Sequence, residues 1–230
     1  MKLRTTEEDL TKTREKKGRY FELMKKSKES AQDKILKGAR KVFAAHPFAT
    51  ATTRMIAEEA GVEHSLIHYY FGTKENLFEI LCERIFEEFN KAIESWFDLI
   101  DDVPEGERFS PLLERLLAYA NNNPETFKII AINMVQVGTT DMPGYEYITK
   151  NIENSQKIIE ERITNWRNQP LFGTFLSSVT LLVISYLGAK ETIGKVQSID
   201  PGTKEYDEFV KNTLLSLFQP LFEQLRQGEN

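Results

Sequence analysis

The sequence predicts an all-α protein in two parts: an N-terminal three-helix head built on a helix-turn-helix, and a C-terminal helical bundle, about nine helices in all. Three observations predict it. Apolar residues recur at helical spacing from Ala31 almost to the C-terminus, with no convincing strand-like alternation. Two short helical patterns meet at Gly61 between Thr52 and Lys74. The last two patterns, about Thr174–Gly194 and Lys204–Gln227, carry more apolar surface than one neighbouring helix needs.

Residues 1–29 hold 10 Lys+Arg and 6 Asp+Glu, with Tyr20, Phe21, Leu23 and Met24 as their main apolar cluster. They read as a basic N-terminal extension that buries too little surface to order itself. The first helix runs from about Ala31 to Ala45, with Ile35, Ala39, Val42 and Phe43 on one stripe, and Pro47 stops it. Thr52 or Thr53 can cap the second helix. There Ile56, Ala57 and Ala60 share a face with Thr53, and Gly61 permits the left-handed turn that ends it. The third helix, about His64–Phe71, buries Ile67 and Phe71. Its other residues are His64, Ser65, Leu66, His68, Tyr69 and Tyr70, almost without charge, where a merely solvated helix would carry Lys and Glu.

A helix-turn-helix can lay its second helix in the major groove of DNA. Ser, His and Tyr can meet base edges or phosphate oxygens, and Leu66 a thymine methyl. Glycine turns also join amphipathic helices in proteins with no DNA role. The pattern by itself therefore fits either a DNA-binding head or a helical protein-interaction adaptor.

Residues 31–82 resemble the DNA-binding domain of the TetR family of bacterial transcriptional regulators. The resemblance is carried by Val42-Phe43, Thr53, Ile56-Ala57, Ala60-Gly61-Val62, Ile67-His68-Tyr69-Tyr70-Phe71 and Lys74-Glu75-Asn76-Leu77. His68 and Tyr70 depart from the family pattern, which more often has Tyr and His there, but both keep a ring with a polar tip. The resemblance implies a DNA-binding domain over residues 30–76, with the helix-turn-helix at about 53–72. With it, base-side contacts are expected from Ser65, Leu66, His68 and Tyr69, phosphate contacts from Thr53, Tyr70 and Lys74, and His64 is a further expected DNA-binding residue. Lys74 sits in the first turn of a helix, an unhelpful place for a cation unless a phosphate lies beside it. Residues 77–230 would then be the effector-binding and dimerisation domain.

Charge agrees with DNA binding at one end. The chain carries a net −5, but residues 1–82 hold 16 Lys+Arg against 12 Asp+Glu, and the remaining 148 hold 14 against 23. A basic extension can touch DNA phosphate or stay a solvated tail.

The fourth helix, about Lys74–Leu99, has Thr73 as N-cap and Leu77, Leu81, Ile85, Phe89, Ile93, Trp96 and Phe97 on its apolar face. It is long enough to act as a lever between body and head. Ser110-Pro111 opens the next helix, which Asn121–Pro124 ends. Helices then follow over about Pro124–Val137 and Tyr145–Trp166, and the last two complete nine. Asn133 and Gln136 lie among inward residues, where an amide can orient a ligand. The expected pocket residues are Trp96, Phe127, Asn133, Met134, Tyr145, Trp166 and Tyr186, an aromatic wall suited to a small apolar or aromatic effector. The alternative is that these aromatics are core and the amides face solvent. The TetR resemblance implies that the last two helices form a four-helix bundle across a twofold axis. The homodimer face would use Phe175, Val179, Leu182, Tyr186, Phe209, Leu214, Leu217, Phe218 and Leu221. Pro220 lies inside that pattern and should kink the helix or interrupt its hydrogen bonding.

Catalysis is not expected, because no nucleophile motif or phosphate-binding glycine loop is present. No cofactor is expected either. His64 and His68 are four apart, a metal-ligand spacing, but no third ligand is matched to them. A single cysteine, Cys82, excludes an intrachain disulfide and suits the cytoplasm. The most apolar run, Phe175–Ala189, is short for a membrane span.

Overall fold

The computed structural model describes residues 30–134, 145–163 and 169–227. Ten α-helices and one 3-10 turn lie among them, with no strand. The extension 1–29, Gln136 and Trp166 fall outside the described residues.

Three helices make the head. In α1 (Ala31–Ala45) the Ser30 Oγ accepts from the Asp33 amide at 3.1 Å, satisfying one of the free N–H groups of the first turn. For α2 (Thr53–Ala60) the cap is Thr52, whose Oγ1 accepts from the Met55 amide at 3.2 Å. Gly61 ends α2 at φ 63°, ψ 41° and turns the chain into α3 (His64–Phe71). A side chain is strained at that φ. Gly61→Ala is therefore expected to cost about 1–2 kcal/mol in a urea titration. The head core is Ile35, Ala39, Phe43, Ile56, Ile67, Leu77 and Phe78, all buried.

Head and body share α4 (Lys74–Asp98), capped by Thr73. Leu77, Phe78, Leu81, Cys82 and Ile85 belong to the head core, while Ile93 and Phe97 belong to the body core. Cys82 is buried, and burial, with Glu79 nearby, pushes its thiol up to about 12 from 9. A raised acid pKa means that the folded state favours the protonated form. Its stabilising effect is complete below pH 9 and is lost as pH rises through 12. Comparing thermal unfolding of wild type and Cys82→Ala should show a smaller decline in the variant between pH 9 and 12.

The body begins with a 3-10 turn, Glu105–Glu107, then α5 (Phe109–Asn122). Ser110 is not its cap. The helix starts at Phe109, two residues earlier than that cap implies, and Arg108 ties down the preceding loop by donating to Val103 O and Asp101 O, each at 2.8 Å. α6 (Pro124–Met134) and α7 (Tyr145–Arg162) follow, then α8 (Phe172–Gly188), α9 (Lys190–Gln197) and α10 (Lys204–Gln227). The single helix expected over 174–194 is two, meeting at 82°. Gly188 lies so close to α6 that a Cβ would stand 2.4 Å from the Ala131 Cβ and 2.6 Å from the Phe127 carbonyl oxygen. Gly188→Ala must push the two helices apart, for an expected loss of about 1–3 kcal/mol read as a lower melting temperature. No single described helix is long and apolar enough to cross a membrane.

The apolar stripe of α10 divides differently from expectation. Tyr206, Val210, Leu214, Phe218, Phe222 and Leu225 are buried within the chain itself, as is Phe175 on α8. The Phe109 and Phe222 rings stack at 5.4 Å, and Phe175 packs on Phe218 at 5.9 Å. Phe175, Leu214 and Phe218 are thus core residues, because α5 and α8 already cover that side of α10. Val179, Leu182, Tyr186, Phe209 and Leu221 are half-buried. Leu217 stays 54% exposed, and Leu181, absent from the expected face, 51%. Around them the outer surface is small: Ser177 and Ser185 flank Leu181 at four-residue spacing, and Ser216 neighbours Leu217.

Candidate nucleic-acid interface

The first and second helices of the turn are locked at their starts. Thr53 Oγ1 and His64 Nε2 share a hydrogen bond of 2.8 Å. Both residues are half-buried, so they brace α2 against α3 as well as lying at its edge. Leu66 is also half-buried and packs against the head core, leaving only part of its side chain outward. Ser65, His68, Tyr69 and Tyr70 are exposed.

Tyr69 is 79% exposed, an unusual place for a large ring. It meets the Tyr70 ring edge-on at 5.0 Å, which restrains both. His68 Nδ1 lies 2.9 Å from Gly72 O. A carbonyl can only accept, so Nδ1 carries the proton, and in the neutral ring Nε2 is left as an acceptor. The His64 and His68 rings meet edge-on at 5.0 Å with one nitrogen of each already engaged. No cluster of metal-ligating side chains occurs among the described residues. No carboxylate or lysine lies within α3. The face is therefore built of neutral hydrogen-bonding groups, the kind that can read base edges without a net charge.

Lys74 has another task. Its Nζ donates to Phe48 O at 2.8 Å and Ala51 O at 3.0 Å, and it sits 4.2 Å above the Phe48 ring. The ammonium closes the loop between α1 and α2 onto the start of α4. With two of its three donors given to carbonyls, it is a brace within the head, and these bonds leave one donor for another acceptor. The local charge also differs from expectation. Residues 30–82 carry six Lys+Arg and six Asp+Glu, so the basic excess of the N-terminal part lies wholly in residues 1–29.

The family model described as "Bacterial regulatory proteins, tetR family" matches residues 35–81, the span from α1 through α3 into α4. The head thus carries a DNA-binding domain of the TetR family. The "Probable HTH-type transcriptional regulator YttP" of Bacillus subtilis is 28% identical over 200 residues, covering 84% of this chain and 96% of that one. The HTH-type transcriptional repressor NicS of Pseudomonas putida is 33% identical over 111 residues, 48% of this chain and 51% of that one. Among solved structures, the fatty acid degradation regulator FadR of Bacillus halodurans superposes with a TM-score of 0.60 at 17% identity, covering 82% of this chain and 96% of that one. The TetR fold thus extends over head and body, and the chain is a DNA-binding transcriptional regulator.

The body encloses a cavity of about 150 Å³ between α4, α5, α6, α7 and α8. Trp96 and Phe127 line it, as expected, with Phe89, Ile130, Ile159 and Val183 among the other apolar walls. Its polar residues are Ser155, Gln156 and Thr180, which the sequence did not single out, and none of its lining residues is charged. Gln156 Nε2 lies 3.5 Å from Thr180 Oγ1, and Ser155 Oγ donates to Asn90 Oδ1 at 2.6 Å. Three expected liners sit elsewhere. Asn133 is fully buried at the junction with the head, its amide bonded to Phe48 and Ile129. Met134 packs with Ile130, Ile148 and Ile184, and Tyr186 packs on Phe209 of α10. Tyr145 opens α7, but its side chain is not among those described.

Proposed function

We propose that the chain is a homodimeric repressor that holds a palindromic operator with α3 of each protomer and releases it when a small uncharged apolar molecule fills the body cavity. The observation that carries the DNA reading is the neutral, ring-rich face of Ser65, His68, Tyr69 and Tyr70 on the second helix of the turn, with Tyr69 left open to solvent. Thr53 and His64 support that face from below, and Leu66 offers a partial apolar edge. The repressor sense is supported by the name of the Pseudomonas relative. A twofold dimer places its half-sites about one helical turn apart or a simple extension of that. The outward surface around Leu181 and Leu217 is the proposed dimer face, where serines allow α8 and α10 of two copies to approach closely. We read the protein as acting in the cytoplasm by binding alone, without turnover or cofactor.

The effector class follows from the lining. A buried carboxylate or ammonium would meet no counter-charge among the lining residues and would lose its hydration. A neutral molecule with one polar group near Gln156 or Thr180 fits. Its entry between α4 and the other helices would shift α4 and with it the separation of the two heads, so DNA and effector bind with reciprocal coupling.

The deciding experiment is selection from a random duplex pool with wild type, His68→Ala and Tyr69→Ala. Recovery of a palindrome that the variants lose or change is the expected result. Wild type that enriches no sequence at low salt, with or without candidate ligands, would sink the reading and favour a protein-interaction role. A second expected outcome concerns the basic extension. Deleting residues 1–29 should flatten the plot of log affinity against log salt, by about 0.9 for each phosphate contact removed. An unchanged slope would make the extension a bystander.

A further inference from the structure

We propose that Asn133 is a positioning residue that ties the DNA-binding head to the wall of the body cavity. The inference rests on that cavity being a ligand site. It concerns a route through α6, separate from the lever of α4.

The two sides of α6 face different compartments. Phe127 and Ile130 stand in the cavity wall. Ile129 is buried in the head core with Phe43, Phe48 and Phe78, and Asn133, one turn on, is buried beside it. The Asn133 amide has a fixed orientation. Its Nδ2 donates to Ile129 O of its own helix at 2.8 Å, which leaves Oδ1 to accept, and it accepts from the Phe48 amide at 3.2 Å. Both residues of this pair are buried, so no water stands ready to replace either partner.

Phe48 is where the head converges. Its N–H is held by α6 through Asn133, and its C=O by the start of α4 through Lys74. Its ring packs 5.0 Å from Phe78 and 6.0 Å from Phe43, with the Lys74 ammonium over it. The same segment forms a tight turn, Thr50 and Ala51 both donating to Pro47 O at 3.0 Å, and runs directly into Thr52, the cap of α2. Moving Phe48 therefore moves the entry to the helix-turn-helix and the Lys74 brace together. On its far side α6 is backed by the close approach of Gly188 and by the Lys128–Glu191 ion pair at 2.7 Å. A molecule pressing on Phe127 and Ile130 displaces α6 as a rigid unit, and its displacement reaches Phe48 through Asn133.

The test uses the full chain and N-phenyl-1-naphthylamine, a neutral aromatic probe whose fluorescence reports its own binding. Hydrogen exchange of the segment 48–53 is measured with and without saturating probe, in wild type and Asn133→Leu. In wild type the bound probe should change exchange in this segment several-fold. In the variant, exchange of the Phe48 amide should rise about tenfold without probe, since its acceptor is gone, and the probe should change nothing further. Probe affinity should be the same in both proteins. A merely structural role for Asn133 would not abolish the response while leaving affinity intact. The proposal is overturned if the response survives Asn133→Leu, if bound probe leaves 48–53 untouched in wild type, or if the variant leaves Phe48 exchange unchanged. Absence of probe binding would defeat the cavity reading instead, and the ligand-free comparison still decides the Asn133–Phe48 link. If Asn133→Leu does not fold, Asn133→Ser makes the same test, its hydroxyl being too short to reach the Phe48 amide.

Discussion

Phe78→Ala is expected to destabilise the chain by about 3–5 kcal/mol, the cost of emptying a large aromatic site in a closed core. Phe78 is fully buried on α4 and packs edge-on to Phe43 of α1 at 4.7 Å and beside Phe48 at 5.0 Å. The three rings join the first helix, the loop before α2 and the shared helix α4. Losing Phe78 also removes support from the Phe48 ring, over which the Lys74 ammonium sits. The site cannot collapse easily, because Ile35, Ile56 and Ile67 around it are themselves fully packed. Chemical denaturation at fixed protein concentration checks this, since a dimer's apparent stability depends on concentration. A loss below about 1 kcal/mol would mean that the head core relaxes into the gap.

Tyr69→Ala is expected to lower affinity for the selected operator by about 1–3 kcal/mol, roughly 5- to 150-fold, with no comparable loss of stability. The ring is mostly exposed and packs only on its neighbour Tyr70, so the fold gains little from it. Binding to unrelated duplex at low salt should change far less, because that term comes from phosphate contacts. The contrast separates a base-reading role from a structural one. Equal losses on operator and unrelated DNA would place Tyr69 on the backbone. Lys74→Met makes the opposite prediction to the one drawn from sequence resemblance. Its main effect should be lower stability, because Phe48 O and Ala51 O lose their donor, with weaker DNA binding following from a loosened head.

Much of the head was legible in the sequence because its signals are local. Caps at Thr52 and Thr73 act within three residues of themselves. Gly61 is required by its own φ. Ile35, Ala39 and Phe43 declare a buried stripe by spacing alone, and the absence of charge on α3 needs no structure to be noticed. The family, the all-helical class and the placement of the turn follow from such short-range facts.

The body was less legible because its decisive contacts join residues far apart in the chain. Asn133 and Lys74 each had a plausible solitary role, ligand and phosphate respectively. Their actual partners meet at Phe48, 85 residues from one and 26 from the other. Periodicity marked α10 as unusually apolar, but it could not tell a core from a dimer face, since both bury the same side chains. Only packing showed that α5 and α8 consume Leu214 and Phe218 and leave Leu217 outside. The bend after Gly188 was equally hidden. A glycine in a helical pattern says that something small is tolerated there, whereas the carbonyl of Phe127 within 2.6 Å of its missing Cβ says why nothing larger can be. The sequence by itself determined the all-helical class, the helices of the head and which face of the recognition helix is chemically distinctive, because those properties reside in neighbouring residues. Tertiary structure alone decided which apolar and polar side chains are consumed within the chain and which remain for a ligand, a second copy or DNA. That partition depends on which distant surfaces come to lie against each other.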